Sequence, residues 1–447
     1  MTLLTPADPT MTRATIAGGT FVAALVLLLL VFVVRDPALK QGAEPTAASA
    51  ATIIPSGPAA EAPGFLYGRI TTVDAVTYEG RLRWGVGDQE AFWGDYFDGT
   101  KAGNRWAVHA PRQRDSLSIE ILGRKIGGED FPRPFMARFG DIARLEAHFG
   151  DVQVTLKSGT MLTLDRFSAG DIDDGVRVWD GRRGVVDLDA RRIRTIEFLP
   201  TAPLVAAPDR LHGTVRTRQG DFTGFIQWDR EDCFGADALD GRTADGPLSL
   251  RYDSIRSIAR RSRDSALVSL ADGREMMLSN TSDVSQGNRG IAVDDRRYGR
   301  VLIPWDAFER VDFSRGGSGP GYGEFAAGRP LVASVTTRDG RRLAGRLVYD
   351  FDESETTETL DAKFQDVDYF IPLGLIASIV PHGRDGRGAT VVLHDGEELP
   401  FDRTGDLAER NAGMLIFVDG RERPEHVAWT DVKQIDFERA PAMSPPR

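Results

Sequence analysis

Residues 211–258 read LHGTVRTRQGDFTGFIQWDREDCFGADALDGRTADGPLSLRYDSIRSI. Leu211, Gly213, Val215 and Thr217 alternate along one run, Phe222, Gly224, Ile226 and Trp228 along the next, and Arg218-Gln219-Gly220-Asp221 separates the two. A period of two on both sides of a Gly-containing turn predicts a β-hairpin with one buried face. The pattern returns at Leu66, Gly68, Ile70, Thr72 with Tyr78, Gly80, Leu82, Trp84. It returns again at Leu331, Ala333, Val335, Thr337 with Leu343, Gly345, Leu347, Tyr349. Self-similarity of this kind decides architecture before chemistry.

A second module type follows each copy of the first. Val152, Val154 and Leu156 run into Lys157-Ser158-Gly159-Thr160, and the later copies are Ala266, Val268, Leu270 before a turn at Gly273 and Ala389, Val391, Leu393 before a turn at Gly396. Each copy ends in a closing apolar segment, at Ile193, Ile196, Phe198, at Phe308, Val311, Phe313 and at Val432, Ile435, Phe437. The expected fold is therefore all-β, with six modules in three tandem pairs. A tail at 1–14, a transmembrane anchor at 15–35 and an Ala/Pro linker at 36–64 precede them. The modules span 65–145, with an insertion at 85–134, then 146–200, 201–260 and 261–316. A Gly-rich linker at 317–328 leads to the last two, at 329–382 and 383–440. Glycines at matched positions inside strands, Gly80, Gly224 and Gly345, suit strands that bend sharply.

The succession of a V-x-L-x-x-G hairpin, a second strand, a short strand and an I-x-x-I closing segment resembles the Sm-like and SH3-like small barrels. That resemblance implies six small β-barrels. It does not bring RNA binding with it, because Asp229-Arg230-Glu231-Asp232 follows Trp228 and the closing segments lack the family's Arg-Gly pair. Six modules of about four strands also fit a six-bladed β-propeller, the alternative architecture.

The 55 Lys and Arg against 66 Asp and Glu give a net charge of −11, with the signs interspersed, which disfavours a grip on nucleic-acid phosphates. From Ile16 to Val34 no charged residue occurs, which matches the roughly 20 apolar residues that span a bilayer. Arg35-Asp36 follows directly and no small-x-small site stands close behind, so an uncleaved anchor is expected rather than a signal peptide. The body is then expected at the cell membrane, single-pass and extracytoplasmic.

No catalytic, cofactor or metal site is expected. The six histidines lack metal-ligand spacing, and Gly316-Gly317-Ser318-Gly319 has no strand-to-helix context. Two acidic runs, at 171–175 and at 350–355, fit no spaced calcium loop and read as solvated hairpins. The single cysteine, Cys233, sits beside Asp232 and reads as structural. Trp84, Trp228, Trp305 and Trp429 hold equivalent positions and read as core.

The first module carries about 30 more residues than its counterparts between its second strand and its closing segment, and insertions in repeats often mark the binding face. That insertion holds Phe92, Trp93, Tyr96, Phe97 and Trp106, the expected partner-binding residues, with the alternative that these rings cap the open end of the first barrel and add to its core. The expected function is a membrane-anchored, non-enzymatic scaffold presenting a protein-binding surface. The alternative is an envelope polysaccharide or cell-wall-binding module. Rings aligned in an open groove would favour a glycan, and buried or dispersed rings a protein partner.

Overall fold

The computed structural model describes residues 62–85, 90–109, 133–166, 175–203, 208–382 and 388–439, and the backbone alone of 119–121 and 124–126. The expected membrane span and nearly all of the linker behind it lie outside the described residues. Among the described residues no helix is long and apolar enough to cross a membrane.

The body is all-β, and helical geometry among the described residues is confined to single 3-10 turns. The first segment contributes β1 (Tyr67–Thr72), β2 (Thr77–Trp84), β3 (Tyr96–Lys101), β4 (Ile119–Ile121), β5 (Arg124–Ile126), β6 (Arg133–Arg138), β7 (Ile142–Ala147), β8 (Asp151–Leu156), β9 (Met161–Asp165), β10 (Val176–Asp180), β11 (Gly184–Leu188) and β12 (Ile193–Phe198). The second contributes β13 (His212–Thr217), β14 (Gly220–Gln227), β15 (Ala238–Thr243), β16 (Gly246–Arg251), β17 (Ile255–Ser262), β18 (Ser265–Leu270), β19 (Glu275–Ser279), β20 (Ile291–Asp295), β21 (Gly299–Ile303) and β22 (Phe308–Phe313). The third contributes β23 (Val332–Thr337), β24 (Arg342–Tyr349), β25 (Thr359–Phe364), β26 (Val367–Pro372), β27 (Ile376–Pro381), β28 (Ala389–Leu393), β29 (Glu398–Phe401), β30 (Met414–Phe417), β31 (Glu425–Val427) and β32 (Val432–Phe437).

Alternation makes the strands. In β2 the side chains of Tyr78, Leu82 and Trp84 point inward with Gly80, while Glu79, Arg81 and Arg83 face out. The strands form three antiparallel sheets of 10, 12 and 8 strands, plus the small β4–β5 pair. Their order is not the order of the sequence. Hairpin β1–β2 is flanked by β12 and β10, from the second half of its segment. Hairpin β8–β9 is flanked by β7 and β3, from the first half. Each half thus lends its leading hairpin to the other, and the two closing strands, β7 and β12, pair at the middle.

The second segment has the same plan. Hairpin β13–β14 lies between β22 and β20, hairpin β18–β19 between β17 and β15, and β17 pairs with β22. The third follows it with β23–β24 between β32 and β30, and β27 against β32. There β29 meets β25 through a hydrogen bond from the Asp402 N–H to Lys363 O at 2.8 Å.

This exchange accounts for the matched glycines. A Cβ on Gly80 would lie 1.9 Å from Trp179 O, one on Gly224 1.9 Å from Asp294 O, and one on Gly345 2.2 Å from Phe417 O. The leading hairpin of one half crosses the third strand of the other at these points, and the backbones meet where a side chain would stand. An aspartate fastens the same crossing: Asp180 Oδ2 accepts from the Glu79 N–H at 3.0 Å, and Asp295 Oδ2 from the Thr223 N–H at 2.8 Å.

The three segments close on one another. Residues of the second and third share one core, from Leu211 through Phe437, and β21 pairs with β26 across their boundary. The first segment has its own core, into which Phe325 packs. The Gly-rich stretch at 317–328 is pinned to that segment: Lys157 Nζ donates to Tyr322 O at 2.6 Å, and the Tyr322 hydroxyl donates to Ile142 O at 2.9 Å. Trp84, Trp228, Trp305 and Trp429 are all buried.

Candidate functional site at the seam of the first and third segments

The five rings expected to meet a partner are placed differently from that expectation. Phe92, Trp93 and Phe97 are fully buried and Tyr96 is 4% exposed. Phe92 packs with Phe65 and Phe234 between the first and second segments, beside Cys233. Trp93 lies against Phe198 and Tyr322 and donates from Nε1 to Thr201 Oγ1 at 3.0 Å. Phe97 meets Trp84 and Phe139 edge-on, and the Arg300 guanidinium covers Tyr96 at 4.6 Å. Phe92, Trp93 and Tyr96 reach beyond the first segment, Phe97 packs inside its core, and all four are closed to a partner. The reason is topological: β3 receives the exchanged hairpin, so the aromatic run leading into it is enclosed. Trp106 alone is half-buried.

Just before the third strand of a first half, a carboxylate organises a tight turn. Asp95 accepts from the Ala91 and Phe92 N–H groups, Asp237 from those of Cys233 and Phe234, and Glu358 from those of Ser354 and Glu355. Two of these carboxylates also receive a cation from another segment. Arg210 Nη2 donates to Asp95 Oδ1 and to Asp294 Oδ2, each at 2.9 Å, and Lys101 Nζ reaches Glu358 Oε1 at 3.3 Å. Burial, with Asp95 and Asp237 beside it, pushes the Cys233 thiol well above the usual range.

Between 350 and 361 the chain carries six carboxylates and no cation of its own. Its cations come from the first segment. Lys101 Nζ donates to Asp352 Oδ1 at 2.7 Å, and Arg133 Nη1 to Asp350 Oδ2 at 2.9 Å. Asn104 Nδ2 donates to Phe351 O at 2.8 Å and Arg105 Nη2 to Ser354 Oγ at 2.9 Å. Asp229-Arg230 and Asp350-Phe351 all take positive φ, the signature of a tight hairpin turn, and Asp350 Oδ1 also accepts from the Ala412 N–H.

Electrostatics at this seam are uneven. Burial opposes the Lys101 charge, but Glu358, Asp352 and Glu353 outweigh it and hold the ammonium protonated well above its usual range. Burial raises Asp350 to about 6 despite Arg133, and Asp361 to about 6. Burial and like-charged neighbours hold Glu353 and Asp406 well above the carboxylate range. There are more acids here than cations to meet them.

Beside this pair opens a cleft of about 370 Å³, lined by Lys101, Asn104, Arg105, Trp106, Met161 and Asp352. Arg105 lies over the Trp106 ring at 4.7 Å, Trp106 meets Phe417 edge-on, and the buried indole Nε1 has no hydrogen-bond partner among the described residues. Met161 is 55% exposed at the mouth. The chemistry on offer is a guanidinium, a carboxamide and an apolar lip, the equipment for holding a polar backbone and a side chain. Among the described residues no cluster of His, Cys, Asp or Glu is arranged to hold a metal ion, and 171–174 of the first acidic run lie outside them.

Sequence reading missed Lys101, Arg105 and Arg210. The signal that pointed to the first two was the acidic run at 350–355, too charged to stand without cations from elsewhere. Comparison with known proteins finds no matching family model, no matching curated protein and no matching solved structure.

Proposed function

We propose that the chain is a membrane-anchored, non-enzymatic β scaffold whose extracytoplasmic body recognises a protein partner. In this reading the cleft beside Trp106 receives an extended segment of that partner. The observation that carries it is the cleft flanked by Arg105, Met161 and the half-buried Trp106, residue types enriched where proteins meet. The polysaccharide reading needs accessible rings in line, and burial of Trp93 and Tyr96 weighs against it.

Each exchanged set of five strands is, on this proposal, a Sm-like or SH3-like small barrel. The order β12-β1-β2-β10-β11 is fifth, first, second, third, fourth by position, and β7-β8-β9-β3-β6 repeats it. A propeller blade would set β2 beside β3, whereas its neighbours are β1 and β10.

A photo-crosslinking residue at Met161 in the full chain, in its native membranes, tests the recognition site. A discrete covalent adduct with another protein is expected, reduced at least tenfold by Arg105→Glu or Trp106→Ala. No adduct, or one indifferent to both substitutions, would overturn the proposal. Placement is tested separately by fractionation, since a mature protein starting near Ala51 would mean that the apolar run is cleaved.

A further inference from the structure

The six fourth strands, β6, β11, β16, β21, β26 and β31, can be aligned from the closing strands that follow them. Seven residues before each closing strand stand Phe135, Val186, Leu248, Val301, Tyr369 and Glu425. Two of these strands pair with each other, β21 with β26, antiparallel, and their ladder is centred on Val301 opposite Tyr369. Arg300 then faces Phe370, and Leu302 faces Asp368. Equivalent residues meet at the centre, so the contact has the symmetry of a strand pairing with its own copy.

Eight residues before the closing strands stand Pro134, Val185, Pro247, Arg300, Asp368 and Pro424. Arg300 and Asp368 belong to the strands that pair. Of the four fourth strands that end a sheet, β6, β11, β16 and β31, three have proline in or immediately before the strand at this position. Proline lacks an N–H and is tolerated in a strand only where that N–H would face an unpaired edge, so these residues blunt three edges. The fourth, β11, has Val185, which is 57% exposed. Among the described residues no strand lies against its free side. Its one charge is neutralised, since Arg177 holds Asp187 through two hydrogen bonds at 2.7 and 3.0 Å.

We propose that β11 is a pairing edge and that two copies of the chain join through it, antiparallel, with Val186 opposite Val186 of the second copy. The register copies the β21–β26 ladder: Val186 corresponds to both Val301 and Tyr369, and Val185 falls opposite the second copy's Asp187. Backbone hydrogen bonds supply the attraction, and the central valines pack on each other on the inner face. The occupant is a second copy because the ladder inside the molecule already joins two equivalents of this strand.

Cysteine crosslinking of the full chain in mild detergent tests the register, because the native Cys233 is buried at 3% exposure and stays silent. Val186→Cys should give a disulfide-linked dimer as the main product under gentle oxidation, and Val185→Cys at least fivefold less. Val185→Pro restores the residue that three equivalent positions carry. It should leave the thermal midpoint unchanged while sedimentation shows a single 48.9 kDa chain in place of a dimer. Equal crosslinking at 185 and 186, a dimer that survives Val185→Pro, or a monomeric wild type would each overturn the proposal. A Val186→Cys adduct with a different protein would show that the edge takes another partner, and would overturn it too.

Discussion

Lys101 on β3 and Asp352, 251 residues further along the chain, meet as a buried ion pair at 2.7 Å, with side chains 8% and 7% exposed. Glu358, at 3.3 Å, is the second acceptor, so one ammonium compensates two carboxylates at the boundary of two segments. Burying such a pair gains little over apolar packing, but removing one member strands the other in a poor dielectric. Lys101→Met should therefore lower unfolding free energy by about 3–5 kcal/mol, measured by urea denaturation. Asp352→Asn leaves Glu358 to hold the lysine and should cost clearly less. Equal losses would mean that the two carboxylates do not act as a set.

The strands were legible because alternation at Leu211, Gly213, Val215 depends only on one face being buried, which is a local property. The neighbours of each hairpin were not legible. An inward face is equally well buried against β3 or against β10, and nothing in the period of two distinguishes them. Whether the aromatic run at Phe92, Trp93, Tyr96 and Phe97 is buried was not legible for a related reason, since interfaces and cores draw on the same large rings. The acidic run at 350–355 was visible, but its cations, Lys101 and Arg133, lie more than 200 residues away, where only tertiary structure brings them. Pro134, Pro247 and Pro424 were readable from spacing alone, yet their meaning needed the sheet edges.

Acid should stabilise the seam over part of the pH range. Asp350 and Asp361 have folded values raised to about 6, and burial with like-charged neighbours raises Asp406 and Glu353 as well. A carboxyl whose folded value exceeds its unfolded one costs stability when ionised. That cost is full above the folded value and disappears as pH falls towards the unfolded value near 4. Carboxylates held low by arginine or backbone N–H groups, such as Asp312 and Asp180, act oppositely and lose their contribution only below about 4. The urea midpoint should be higher at pH 5.5 than at pH 7.5. Asp406→Asn, which keeps an acceptor for the Asp361 N–H at 2.7 Å, should flatten the difference. A midpoint that falls monotonically from pH 7.5 to 5.5 would remove this account of the acidic cluster.

Two aromatic donors at corresponding positions should differ in their cost of removal. Trp228 Nε1 donates to Asp283 O at 2.9 Å, and the Tyr349 hydroxyl to Asp406 O at 2.9 Å. Asp406 O has a second donor, Asn411 Nδ2 at 2.7 Å, so Tyr349→Phe leaves it satisfied and should cost about 0.5–1.5 kcal/mol. Trp228→Phe removes the side-chain donor to Asp283 O and opens a gap beside Phe308 and Trp305, for a loss of about 3 kcal/mol or more. Chemical denaturation of the two single variants decides it, and similar losses would contradict the reasoning.

The exchange of hairpins rests on ladders that a single added carbon can probe. Gly224 lies on β14 where it passes β20, and its Cβ would stand 1.9 Å from Asp294 O, a backbone atom with no freedom to swing aside. If β14 paired with β15, its neighbour in sequence, that carbonyl would not be there. Gly224→Ala must therefore push β14 and β20 apart and strain the hydrogen bond from the Thr223 N–H to Asp295 Oδ2. Overpacking of this kind costs about 1–3 kcal/mol, and a collision with backbone belongs at the upper end. Gly181, in the turn after β10, has nothing within 4 Å of its Cβ position and serves as the control. Gly181→Ala should change stability by less than about 0.5 kcal/mol, as exposed substitutions generally do. Hydrogen exchange reports the site of damage: in Gly224→Ala, amides of β14 and β20 should lose protection together while β15 and β16 keep theirs. Joint loss in β14 and β15 with β20 unaffected would show that each half keeps its own hairpin, and the exchanged arrangement would have to be abandoned.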